Sequence, residues 1–159
     1  EICFVPDGNT AKFVERHLTS AMPVGEIVNS DGKVLGEHQG LHHFTVGQRK
    51  GLGLSTPKPM YVLKLMPAEQ QVVVGAREDL GGTVLDATGV NWVSGTTPDG
   101  PIRVTARIRH RHQDAPATVE STGDAPAHLV FDEPQTAITP GQAVVFYQGD
   151  DVVGGGWIR

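Results

Sequence analysis

A single cysteine in 159 residues rules out a disulfide within the chain. No apolar run approaches the roughly eighteen residues that a membrane-crossing helix requires. The first residues also lack the basic-then-apolar pattern of an export signal, so a cytoplasmic location is expected. Positive charge is in deficit, with 13 Lys and Arg against 18 Asp and Glu and a formal net charge of -5. That balance argues against nucleic-acid binding by the surface as a whole and confines any RNA contact to a local basic patch. Neither a G-x-x-x-x-G-K-[ST] sequence nor an S-G-G-x-D-S-type loop occurs, so the chain by itself is expected to bind no nucleotide. Hydrophobic residues make up 38%, enough for one ordinary domain or two small ones.

Glycine is plentiful where it matters. Between Gly36 and Leu54 the sequence reads G-E-H-Q-G-L-H-H-F-T-V-G-Q-R-K-G-L-G-L, with glycines at 36, 40, 47, 51 and 53 that break both the helical and the strand period. Glu37, His38, His42, His43, Gln48, Arg49 and Lys50 sit between the breaks, which describes a shaped polar loop. A long connection pinned by turns is the plainer alternative. The three histidines raise the question of a metal, but no cysteine lies near them, and no metal site is expected. Gln48, Arg49 and Lys50 offer contacts to phosphate or to another domain, or form a solvated turn.

Along the chain, Ile2 to Val5 is a short apolar run holding Cys3, whose plainer reading is a small buried hydrophobe. Asn9 is a good N-cap for a helix in which Ala11, Val14 and Leu18, with Phe13 and His17, make one apolar stripe. Short strands follow. Gly25 to Asn29 and Lys33 to Glu37 flank Asp31-Gly32, a strong hairpin signal, and Met60 to Met66 and Gln70 to Gly75 make a second hairpin. Arg77 to Gly82 is a polar crossing suited to a domain boundary. Beyond it, strands are expected at 83–86, 90–94, 102–109, 117–121, 127–132, 143–147 and 152–158, a pattern that points to a small antiparallel barrel. In I-R-V-T-A-R-I-R, Arg103, Thr105, Arg107 and Arg109 share one face. With His110, Arg111 and His112 they form either a phosphate-binding stripe or an ordinary wet face whose charges pair with Asp114, Glu120 or Asp132. Gly154-Gly155-Gly156 permits a bulge or close backbone approach.

Three motifs, in order, resemble those of the tRNA-specific 2-thiouridylases: E-I-C-F-V at the start, H-Q-G-L-H-H-F-T-V-G-Q-R-K-G-L-G-L in the middle, and E-P-Q-T-A-I-T-P-G-Q-A-V-V-F-Y near the end. The resemblance runs from Glu1 to Ile158. It implies a mainly β chain: residues 1–22 as the tail of an ATP-binding domain, 23–80 as a small β-rich central domain, and 81–159 as a β-barrel similar to domain 2 of elongation factors. It implies that Cys3 carries a persulfide, that Arg109, His110 and Gln142 touch tRNA, and that the 48–50 loop helps enclose the active site. His110 departs from the commoner Tyr of the family, which weakens stacking. The whole enzyme is expected to use ATP and Mg2+, bound elsewhere, to receive sulfur from a persulfide donor protein and to act on the anticodon stem-loop. Because it opens on Glu, the chain is expected to be an excised, catalytically inert piece. A non-enzymatic RNA-binding barrel, with Cys3 a core residue, and a protein-docking scaffold remain the alternatives.

Overall fold

The computed structural model describes residues 10–18, 22–110, 113–122 and 125–159; Cys3, Asn9, Arg111 and His112 lie outside them. The chain divides into two compact units at the junction of Asp79 and Leu80. No helix is long and apolar enough to cross a membrane among the described residues.

In the first unit, α1 (Thr10–His17) precedes β1 (Gly25–Asn29), β2 (Val34–His38), β3 (Tyr61–Met66) and β4 (Gln71–Gly75). Leu18, which the helical period assigns to the apolar stripe, lies beyond the last turn and is exposed. His17 caps its own helix instead of packing inward, its Nδ1 lying 2.8 Å from the Phe13 carbonyl. The first hairpin closes at Asp31-Gly32 as the dipeptide dictates, with the Asn29 side-chain oxygen accepting from the amides of Asp31 and Lys33. The sheet order is β2-β1-β4-β3. Here the two hairpins join through a parallel pairing of β1 with β4, so the sheet is mixed. Its core holds Ile27, Val62, Val72 and Val74 from the strands and Leu41, Phe44 and Leu52 from the glycine-rich segment. That segment is therefore partly a lid on the sheet, and its glycines let the backbone fold back over the strands.

The second unit is a closed barrel of β5 (Gly81–Trp92), β6 (Ile102–Arg107), β7 (Ala115–Glu120), β8 (Ala127–Thr136), β9 (Ala143–Gln148) and β10 (Asp151–Ile158), in the order β10-β5-β8-β7-β6-β9. All its pairings are antiparallel. The strands expected at 83–86 and 90–94 are one: β5 continues through Gly89, pairing with β8 along its first half and with β10 along its second. Composition there looks like a turn, yet a strand that changes partner midway needs only a local bend, which a glycine at φ 58° supplies. The strand expected over 102–109 stops at Arg107, although Ile108 beyond it is still buried.

Small and large side chains alternate inside the barrel, as a narrow taper requires. Ala106 faces Phe146 and Ala117 faces Phe131 across neighbouring strands, while the Trp92 and Phe146 rings lie 5.7 Å apart. The glycine triplet fits the same logic, since a Cβ on Gly155 would stand 2.7 Å from the Val144 carbonyl oxygen and one on Gly156 2.8 Å from that of Thr88. Phe146 is fully buried at the centre of this packing. Phe146→Ala should destabilise the barrel by about 3–5 kcal/mol in urea unfolding, with the loss falling on the transition of residues 80–159; a loss under about 1 kcal/mol would show that Phe146 does not organise the core.

Candidate nucleic-acid interface

An antiparallel barrel sends successive loops to opposite ends. At the end where β6, β8 and β10 finish and β7 and β9 begin, residues 108–110 and 137–142 emerge side by side. Hydrogen bonds hold this end together. Arg109 Nη1 donates to the Thr136 carbonyl at 3.0 Å, Gln142 N to Thr139 O at 3.2 Å, and Gly141 N and Ile158 N make reciprocal bonds of 2.8 Å with Ile158 O and Gln142 O. Arg109, His110 and Gln142 are thus brought to one end of the barrel, all exposed. The Gln142 backbone is spent on the turn; its side chain makes no hydrogen bond among the described residues.

The arginine face divides into paired and available members. Arg103 makes a bidentate contact with Asp132 at 2.8 and 2.6 Å and also donates to Thr118. Arg107 grips Asp114 at 2.6 and 3.1 Å and lies over the Tyr147 ring at 5.5 Å. Hydrogen bonding to Asp132 raises the pKa of Arg103, and hydrogen bonding to Asp114 raises that of Arg107. The Arg103 hydrogen bond in turn holds the Asp132 carboxyl below the usual aspartate range. Of the two readings of this face, the wet face whose charges are paired therefore holds at Arg103 and Arg107: Asp132 of β8 and Asp114, just before β7, are the acids that meet them. Arg109 alone of these three meets a carbonyl instead of a carboxylate, and among the described residues most of its N–H donors remain open.

In the first unit, Gln48 shapes its own turn, accepting from Thr45 N at 3.0 Å and donating to the Lys50 carbonyl at 2.9 Å. Its backbone exchanges bonds with β3, through Val62 N to Gln48 O at 2.9 Å and Gly47 N to Val62 O at 2.7 Å. Arg49 and Lys50 are exposed and make no ion pair among the described residues. Arg49 also lines a surface cavity of about 380 Å³ with Thr56 and Lys58. Lys58 was missed from sequence because T-P-K-P carries no period, and its position beside Arg49 is a product of the fold. The Gly-rich histidines separate as well. His38 is buried and structural, its Nδ1 accepting from Gly40 N at 3.0 Å and its Nε2 facing the Gln70 carbonyl at 3.1 Å. His42 and His43 turn instead to Glu15 of α1, a residue that sequence reasoning left out because 27 positions separate it from His42.

Two family descriptions cover nearly the whole chain. Residues 11–76 match the "tRNA methyl transferase PRC-barrel domain" and residues 83–158 the "Aminomethyltransferase beta-barrel domain", so the two units are these two domain types in sequence. Among curated relatives, the "tRNA-specific 2-thiouridylase MnmA" of Koribacter versatilis is 50% identical over 163 residues, covering 99% of this chain and 44% of that protein. Those of Solibacter usitatus and Syntrophotalea carbinolica are 50% and 47% identical, covering 100% and 99% of this chain and 45% of each relative. The chain belongs to the tRNA-specific 2-thiouridylase family and spans a little under half the length of these relatives.

Because the folded Asp132 value is depressed, its pairing contributes stability above the ordinary aspartate range and loses it as pH falls through that depressed value. Asp132→Asn should therefore lose less melting temperature than wild type between neutral and strongly acidic solution. The difference should be small because both partners are exposed, and equal acid sensitivity in the two proteins would contradict the pairing.

Proposed function

We propose that this chain is the tRNA-positioning part of a 2-thiouridylase, and that in the longer protein it also presents the sulfur-carrying thiol. The observation that carries the reading is the barrel end at which Arg109, with no carboxylate partner among the described residues, stands beside the loop bearing Gln142. An exposed guanidinium with open donors suits a phosphate oxygen, and a free side-chain amide beside it suits a sugar or base edge. His110 adds a ring able to stack on an unpaired base. The tRNA segment received in this reading is the anticodon stem-loop.

In the same reading the Cys3 thiolate attacks the outer sulfur of a persulfide donor protein, whose own thiolate leaves. The Cys3 persulfide then adds to C2 of the wobble uridine, whose adenylated oxygen departs as AMP. A second cysteine, in the part of the longer protein that this chain does not span, attacks the Cys3 sulfur, forming a disulfide and leaving the new sulfur on C2. A thiolate is required, because the thiol is a poor nucleophile and a poor sulfur acceptor. Activation of the C2 oxygen with ATP and magnesium falls to the part of the longer protein that this chain does not span. Arg49, Lys50 and Lys58 serve here as a second cationic surface that helps enclose the RNA, with Gln48 setting the shape of the turn.

The test uses the longer protein that carries this chain. Arg109→Ala should weaken binding of an anticodon stem-loop and lower the slope of log affinity against log salt by about 1, whereas Arg103→Ala, already paired with Asp132, should leave the slope unchanged. Cys3→Ser should abolish thiolation and leave tRNA affinity intact. An unchanged slope in Arg109→Ala would remove the barrel end from the RNA interface. Retained thiolation in Cys3→Ser would favour a non-enzymatic RNA-binding barrel in which that cysteine is a core residue.

A further inference from the structure

We propose that Glu15, His42 and His43 form a divalent transition-metal site, with zinc the ion it suits, that fastens α1 to the glycine-rich segment. Each of the three offers one ligand atom, and these atoms all lie within 4.8 Å of one another. Glu15 Oε1 stands 3.1 Å from His42 Nε2 and 3.4 Å from His43 Nε2. Those separations suit hydrogen bonds, and they also match the roughly 3.3 Å edge of a tetrahedron of ligands about 2.05 Å from zinc. Two imidazoles and one carboxylate leave an open position for water. The donor set is that of a borderline ion and does not suit magnesium or calcium, which take oxygen ligands.

The ring nitrogens distinguish His42 from its neighbour His38. At His38 the Gly40 amide donates to Nδ1, so the ring proton stays on Nε2 and that nitrogen is closed to a metal. At His42 the Nδ1 atom is buried and makes no hydrogen bond among the described residues, so it can take the ring proton while Nε2 turns its lone pair to an ion. The His42 side chain is only 8% exposed and therefore held in place, while Glu15 and His43, at 47% and 38%, leave the site open to solution. The two imidazoles pack against each other with centroids 4.0 Å apart, and both Nε2 atoms face Glu15 Oε1. An eight-residue helix has little stability alone, so an ion shared with residues 42 and 43 would hold it down.

Calorimetric titration of zinc chloride into the tag-free, chelator-stripped chain is expected to show one equivalent per chain and a rise in melting temperature. Glu15→Gln and His43→Gln, both at exposed positions, should each weaken that binding at least about tenfold while leaving the metal-free melting temperature unchanged. His128→Gln, at a histidine paired with Asp86 on the barrel, should bind zinc as wild type does. Absence of saturable binding, or binding of equal strength in Glu15→Gln and His43→Gln, would overturn the site.

Discussion

Closure of the barrel through β9, β10 and β5 is the constraint from which the rest of the second unit follows. A closed antiparallel sheet has no free edge, so every strand finds both neighbours within the chain. Closing so few strands leaves a narrow interior, and the chain answers with alanine opposite phenylalanine at Ala106 and Ala117. The same closure sorts the loops. With all pairings antiparallel, residues 108–110 and 137–142 have to emerge at one end, although some thirty positions separate them in sequence. It also brings Asp132 of β8 across β7 to Arg103 of β6, and so decides which cations are already neutralised.

In the first unit a glycine-rich segment does two jobs at once. Leu41, Phe44 and Leu52 pack into the core of the mixed sheet, while His43, Thr45, Arg49 and Lys50 between them are exposed. His38 ties the segment to the β3–β4 turn through the carbonyl of Gln70, a residue held at a positive φ of 55°. The backbone of Gln48 is tied to β3 at Val62. Arg49 and Lys50 are thus presented from an anchored turn. A cation so mounted loses less freedom on meeting an anion than one on a loose loop, which favours selective contact over general attraction.

Local signals were legible in the sequence wherever the cause is local. Asp31-Gly32 and the alternation of Ile102 to Ile108 announced a hairpin and a barrel strand, and family resemblance pointed to the barrel architecture as a whole. Pairings between distant segments were not legible. Nothing near β1 announces its parallel partner β4, and Gly89 reads as a break although β5 runs through it. The arginine face shows the same limit: its alternation is a property of one strand, but its charge state depends on acids delivered by others. For that reason the plainer reading holds at Arg103 and Arg107, and Arg109, beyond the end of β6, has no carboxylate partner among the described residues. Glu15 joins the histidines by the same long-range route.

The central claim is that one end of the barrel, and not its side or its opposite end, faces RNA. Amide chemical-shift mapping of the isotope-labelled chain on addition of an anticodon stem-loop tests it most directly. The account predicts that the largest shifts fall on residues 108–110 and 137–142. Shifts concentrated instead on the opposite end, at 93–101 and 149–150, would contradict it.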